Sequence, residues 1–290
     1  MIELRTMTRL MLPTVVDLLK NANDTNLSIE RVAEEKCFGR GVKGEPTVTG
    51  AFEGSTLVGV SVDCGPAIRL IAVDWEHRRR KIGSALLAAV TSRMQRAGGF
   101  SCLLASEAGN YFLPGVPVSM TAAVAFAERS GFAPLLETVN LRAPLVSNSL
   151  LDELAPAGQN VSIERASEPE ALLAFVESTF GSIWRFEVSK AMEANPATAF
   201  VALRDREILG FSAHEANNRG LGTFGPTGVA PSARGQGIGR RLLLESLRDL
   251  RELGYESAII PWTDSVEFYQ RSCGAKVEET YALMRKSLAG

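Results

Sequence analysis

The chain has 290 residues, with 31 Lys plus Arg against 33 Asp plus Glu and a formal net charge of −2 at pH 7. Such a balance provides no global basic field, which argues against a nucleic-acid partner. No apolar run approaches the roughly 18 residues of a membrane span, and the N-terminus lacks a signal-peptide layout. Four cysteines without metal-like spacing and two histidines argue against a metal site. We therefore expect a cytoplasmic protein with no membrane partner, either monomer or homodimer.

The first half of the chain predicts an α/β unit. Short apolar stretches separated by Gly, Asp and Asn turns indicate an antiparallel set of strands. After the fourth strand a basic run from Arg78 to Lys81 precedes Gly83 and a helix, and it is either a solvated helix start or a phosphate contact. The predicted strands are 2–6, 47–52, 57–63, 68–73, 101–105 and 138–141.

A Pro/Gly-rich aromatic segment at 109–119 follows the fifth strand. Tyr111 and Phe112 would expose apolar surface unless they pack on something. Two placements stay open. The segment packs on its own sheet, or it reaches the other half of the chain and lines an acceptor pocket.

The second half repeats the pattern of the first. Arg234 aligns with Arg78 at an offset of 156 residues (234 − 78), and the segment around Phe126 aligns with that around Phe268. We predict a domain at 1–145, a linker at 146–160 and a second domain at 161–290. Its predicted strands are 161–165, 198–203, 208–215, 223–229, 257–261 and 278–285.

The segment from Val229 to Arg240, here called the second loop, carries the clearest chemical indication. A strand ends, glycines remove side chains that would block a ligand, and an amphipathic helix begins at Ile238. Backbone N–H groups at a helix N-terminus favour an anion, and nearby arginines add positive charge. We expect a pyrophosphate site here; a plain strand-to-helix turn is the alternative. The candidate residues are Val229, Ala230, Arg234, Gly235, Gln236, Gly237, Ile238, Gly239 and Arg240.

The pattern Arg234-x-x-Gly237-x-Gly239, followed by Phe268-Tyr269 and Gly274, resembles the GNAT superfamily of N-acetyltransferases. The resemblance implies an α/β (α+β) fold of two tandem GNAT domains, each a mixed, mostly antiparallel sheet flanked by helices. It also implies acetyl-CoA as cosubstrate, bound by the second loop. In tandem GNAT proteins of the mycothiol synthase type, the C-terminal unit does the chemistry, so we expect a degenerate first unit. Lys81 in place of Gly237 agrees with this, because it puts a side chain where backbone approach is needed.

The same resemblance assigns the catalytic candidates. Tyr269 takes the role of acid toward the departing thiolate, and the backbone near Val229 polarises the thioester carbonyl. If Phe268 packs inward, its neighbour Tyr269 is turned aside from the core. A plain core position is the alternative for Tyr269. The strand at 223–229 has no carboxylate, so the candidate bases are His214 and Glu215 on the preceding strand, or a water chain to solvent. Asp264 and Glu267 beside Tyr269 are further candidates, and a structural role is the alternative for His214.

Acceptor recognition is expected at Phe180–Glu187, where aromatic residues alternate with one cation and one anion. The same residues are also compatible with a helix contact. The sequence thus predicts acetyl transfer to an amine on a small molecule or peptide. A non-catalytic acyl-CoA sensor is the alternative.

Overall fold

The computed structural model describes residues 1–22, 28–153 and 158–288. By their contacts these form two compact units. One consists of Met1–Thr138 together with Glu279–Gly290, and the other of Val139–Glu278. Each unit is a mixed α/β structure, as the sequence predicted.

The first unit is built on an antiparallel meander, β1-β2-β3-β4, to which β5 adds in parallel. The last strand of the chain, β13, then pairs antiparallel with β5 and β6. The elements are β1 (Ile2–Thr6), α1 (Leu12–Ala22), α2 (Ile29–Phe38), β2 (Thr47–Glu53), β3 (Thr56–Cys64), β4 (Ala67–Val73), α3 (Ile82–Arg96), β5 (Ser101–Leu104), β6 (Val116–Pro117), α4 (Thr121–Arg129), the start of β7 (Ala133–Pro144) and most of β13 (Lys276–Ser287).

The second unit contains the antiparallel sheet β8-β9-β10-β11. A second pair is formed by β12 and the end of β7. The elements are β8 (Ser162–Arg165), α5 (Pro169–Phe180), α6 (Ser182–Met192), β9 (Ala199–Arg204), β10 (Glu207–His214), β11 (Phe224–Val229), α7 (Ile238–Glu252), β12 (Ser257–Thr263) and α8 (Val266–Cys273).

All twelve predicted strands occur in the structure, and the two-residue strand β6 was not predicted. The division of the chain, however, differs from the predicted boundaries 1–145, 146–160 and 161–290. Glu279–Gly290 groups with the first unit, because β13 finds its hydrogen-bond partners on β5 and β6. The end of β7 groups with the second unit, because it pairs with β12.

Helix α7 supplies much of the second unit's core. Its apolar residues recur at helical spacing and are completely buried, as the amphipathic pattern predicted. They are Leu242, Leu243, Leu247 and Leu250. Among the described residues no helix combines the length and the apolar character needed to cross a membrane.

Met284 tests the placement of the C-terminal strand. Its side chain is buried in the core of the first unit, whereas Arg285 beside it is exposed. Met284→Ala should lower the free energy of unfolding by about 2–5 kcal/mol through lost burial and a cavity, whereas Arg285→Ala should change it by less than about 0.5 kcal/mol. Urea denaturation measures both. Equal, small effects would contradict the pairing of β13 described above.

Candidate active site

The second loop has the backbone shape of an anion cradle. β11 ends at Val229, a short 3-10 turn follows, and Gly235 and Gly237 take the left-handed φ values of 77° and 80°. Gly237 immediately precedes α7, whose first N–H groups have no partner within the helix. Arg234 is tied to the strand end, because its Nε donates to the carbonyl oxygen of Val229 at 3.4 Å. The predicted residues are thus brought together at one helix N-terminus.

The corresponding loop of the first unit, from Val73 to Gly83, has the same backbone shape. Arg79 and Lys81 take φ values of 65° and 63°, at the positions of Gly235 and Gly237. Arg78 donates from Nε to the carbonyl oxygen of Val73 at 3.2 Å, as Arg234 does to that of Val229. Lys81 therefore leaves the backbone conformation of the loop intact. The first unit was expected to be degenerate, but the backbone conformation of its loop is not where it differs from the second unit.

Both loops follow a place where two parallel strands diverge. β4 and β5 pair at Ala67 with Leu103 and at Ile68 with Leu104, well before Val73. In the second unit, β11 and β12 share one described bridge, Thr223 with Ile259. The end of β4 at Val73 and the end of β11 at Val229 are then free to face a ligand. An extended ligand can lie in each gap with its anionic end at the loop.

Tyr269 lies near the closed end of the gap in the second unit. Its ring packs edge-on against Phe224, the first residue of β11, with 6.2 Å between ring centroids. Val229 is five residues further along, about 17 Å at strand rise. The condition on which Tyr269 was expected to turn aside is not met: Tyr269 is buried in the core, and Phe268 is only half-buried, near Gly239. Burial, and then the nearby Cys273 and Asp264, raise the pKa of the Tyr269 phenol, which keeps it protonated.

His214 lies beneath α7, completely buried. Its ring stacks on Phe200, and Nε2 is 2.9 Å from Oδ2 of Asp249. Arg165 donates to both oxygens of Asp249 at 2.5 and 2.8 Å. Burial alone would raise the pKa of Asp249, but the interactions with His214 and Arg165 lower it below its ordinary range. This geometry favours a structural role for His214 over proton transfer.

Glu215 closes the turn between β10 and β11. Its Oε1 accepts from the backbone N–H of Thr223 at 2.9 Å, and its Oε2 accepts from Tyr255 Oη at 2.8 Å and from the N–H of Gly220. The carboxylate is buried and lies at the end of the hairpin away from Val229. The structure therefore does not bring His214 or Glu215 to the second loop.

Other residues of the second loop are held by their neighbours. Ile238 is buried in a small core cluster beneath the loop, with Val229 and Ala230 packed against it. The Gln236 side chain accepts from Arg204 Nη2 at 2.6 Å, and its carbonyl accepts from the N–H of Gly158 at 2.9 Å. Its side chain is thus engaged within the protein, whereas Arg234 is exposed.

The expected acceptor segment places aromatic rings beside β11. Phe180 and Trp184 stack at 5.1 Å between centroids, and both meet Phe211 edge-on. A Cβ at Gly228 would come 2.5 Å from Cζ of Phe180, so only glycine admits this ring next to Val229. The rings are half-buried and join the core, so packing and acceptor contact are both open to them.

Some neighbours of these residues were not predicted. Ser212 bonds Ser246 Oγ at 2.8 Å, and His214 faces Asp249, so polar residues of β10 meet polar residues on α7. The spacing of Ser246 and Asp249, three apart within a helix of buried leucines, was the available indication.

The first unit contains a cavity of about 890 Å³ at its loop. It extends from the basic residues to the aromatic segment that the sequence left with two placements. Tyr111 and Phe112 are buried, and Phe112 belongs to the lining. The lining includes Val73, Arg78, Lys81, Phe112, Leu113 and Phe126. Among the described residues no group of three or more His, Cys, Asp or Glu side chains could hold a metal ion.

The fold and loops define a class of protein, that of two tandem α/β units, each with diverging strands and a loop that leads from a strand end into a helix N-terminus. A tandem GNAT protein from the clavulanic acid biosynthesis pathway has this fold, with a TM-score of 0.76, 15% identity and coverage of 100% of this chain and 99% of that one. A GCN5-related N-acetyltransferase from Sphaerobacter thermophilus has the same fold, with a TM-score of 0.74 and 16% identity. The match covers 100% of this chain and 96% of that one.

The sequence comparisons agree with the fold. Residues 164–275 match the acetyltransferase (GNAT) family. Mycothiol acetyltransferase from Rhodococcus erythropolis (strain PR4 / NBRC 100887) is 27% identical over 72% of this chain and 73% of its own length. The protein of the same name from Rhodococcus opacus (strain B4) is 30% identical over 67% of this chain and 65% of its own length. This chain is a tandem member of the GNAT superfamily and an acetyltransferase.

Asp249→Asn tests the structural role of the His214 network. Because the folded-state pKa of Asp249 is below the unfolded value of about 4, the carboxylate stabilises the fold above that pH, and this contribution declines as the pH falls toward the folded-state pKa. The variant should lose about 2–4 kcal/mol at pH 7 and less at pH 3, measured by urea denaturation. The exposed Glu267→Gln serves as control. A pH-independent loss would contradict the proposed network.

Proposed function

We propose that the second unit binds acetyl-CoA and transfers its acetyl group directly to an amine on a small molecule. The observation that carries this proposal is the alignment of the second loop, the diverging strand β11 and Tyr269 along one line. The distance of about 17 Å from Phe224 to Val229 is comparable to an extended pantetheine arm. The left-handed glycines and the exposed Arg234 fit a pyrophosphate at the open end.

The residues of the second unit would each supply one requirement of the reaction. The N–H groups of the second loop and Arg234 hold the phosphates. The thioester then lies one arm's length along β11, beside Phe224 and Tyr269. The backbone of β11 near Phe224, in place of that near Val229, therefore directs a donor to the thioester carbonyl. Such a donor is worth about 2.7–4 kcal/mol of barrier in acyl transfer. The amine nitrogen attacks the carbonyl carbon, the carbon–sulfur bond breaks, and the Tyr269 phenol donates a proton to the sulfur.

Removal of the ammonium proton is assigned to water. His214 and Glu215 are buried and engaged within the fold, as described above, and the described part of β11 carries no carboxylate. Asp264 and Glu267 are exposed near Tyr269. For the acceptor, the names of the relatives point to a thiol-containing metabolite, and the rings of Phe180 and Trp184 offer it apolar faces.

A second acyl-CoA site in the first unit is favoured by its cavity. The loop shape is preserved there, and basic side chains line one end of the space. Calorimetry with coenzyme A counts the sites: two per chain would support the second site, and one would refute it. Release of free thiol from acetyl-CoA, assayed with a panel of amines, tests the transfer reaction.

Arg234→Ala should weaken acetyl-CoA binding at the second loop by about 10- to 100-fold, because a charge-assisted contact to phosphate is lost. Arg271→Ala removes an exposed cation of α8 and is the charge-matched control. Titration calorimetry measures both variants. If the two bind coenzyme A alike, the second loop is not the phosphate site.

Tyr269→Phe should lower kcat by about 100-fold or more, because general acid catalysis contributes about 10²–10⁴-fold. The affinity for acetyl-CoA should stay within about threefold, since the ring and its packing remain. Tyr255→Phe is the matched control, because it removes a phenol that bonds to Glu215. Steady-state kinetics separates the two effects. An unchanged kcat in Tyr269→Phe would remove its role as acid.

A further inference from the structure

The segment before β8 is fastened to α7 within the second unit. Leu151 is completely buried in the core cluster that contains Leu243 and Leu247. Arg248 donates from Nε to the carbonyl oxygen of Leu151 at 2.5 Å and from Nη2 to that of Glu153 at 2.6 Å. The position of Glu153 beside α7 is therefore fixed by a buried anchor and by backbone contacts.

Glu153 reaches the first turn of α7 from this position. Its Oε2 accepts from Nη2 of Arg240 at 2.6 Å, and both side chains remain partly exposed, at 50% and 29%. Arg240 lies three residues after Gly237, where the sequence places a phosphate contact. The other cation of the second loop, Arg234, is exposed and has no carboxylate partner among the described residues. One of the two loop arginines thus already holds an anion.

We propose that Glu153 competes with a phosphate group of coenzyme A for Arg240 and thereby sets the affinity of the second unit for acetyl-CoA. The inference rests on the function proposed above for the same site. Carboxylate and phosphate make the same charge-assisted contacts to a guanidinium, so one replaces the other. Glu153 also places a negative charge near the incoming phosphate, which weakens binding further. Glu153 is accordingly an affinity-setting residue and takes no part in the transfer step.

Glu153→Gln in the full chain tests the proposal. Exposed ion pairs are weak, so removal of the competitor should tighten coenzyme A binding by about two- to fivefold. The KM for acetyl-CoA should fall by the same factor with kcat unchanged. Pantetheine, which has no phosphate, should bind wild type and variant alike. Asp152→Asn is the matched control: it removes the adjacent negative charge, which pairs with Arg251 further along α7, and should leave both affinities unchanged.

The outcomes separate this proposal from the proposed function. Suppose that Glu153→Gln binds coenzyme A no more tightly than wild type does, while Arg234→Ala binds it more weakly than wild type. This result would overturn the competition and leave the second loop as the site. An equal gain for pantetheine, or for Asp152→Asn, would also overturn it, because the effect would then come from net charge. If Arg234→Ala binds coenzyme A as tightly as wild type does, both proposals would be overturned.

Discussion

The second unit depends on the edge of β11 that is almost unpaired. β11 is bonded along one side to β10, but its other side meets β12 at the single described bridge of Thr223 with Ile259. Backbone groups along such an edge need partners, because an unpaired buried peptide group costs about as much as a lost hydrogen bond. A ligand that carries its own amides can supply them, much as a peptide adds to a sheet edge. In the function proposed above, this edge of β11 pairs with the amide groups of an extended ligand.

The loop at the end of that edge completes the same constraint. The bond from Arg234 to the carbonyl oxygen of Val229 fixes the cation at the strand end, where the N-terminus of α7 also begins. A ligand that pairs with β11 must then bring its far end to this point. In the proposed function, the helix N–H groups and the arginine bind the anion together. In that proposal the edge of β11, the second loop and the start of α7 bind one ligand together, and Tyr269 lies at the opposite end of the strand from the loop.

The sequence was sufficient wherever the information was local. Short apolar stretches bounded by Gly, Asp and Asn turns located the twelve predicted strands, and helical spacing identified the buried face of α7. The sequence did not identify which strands pair or which distant side chains meet. β7 and β13 have similar apolar patterns, so nothing local says that β13 pairs with β5. Alternation also placed His214 on one face of β10 but could not name Asp249, 35 residues away on α7. The left-handed φ of 53° at Glu215, which lets its carboxylate cap the turn, has no sequence signature.

The two loops show that glycine does not create the shape of the anion cradle. Arg79 and Lys81 adopt left-handed conformations that cost of order 1 kcal/mol or more for a residue with a Cβ. Because the first unit tolerates that cost twice, the strand end and the helix start must impose the conformation. The difference between the units then lies in the contacts of the arginine. Both arginines are exposed and both donate to their strand end, but Arg78 also donates from Nη2 to the carbonyl oxygen of Ala22 on α1. A phosphate at the first loop would have to compete with the carbonyl oxygen of Ala22 for Arg78, and this agrees with the proposal that the second unit carries out the transfer.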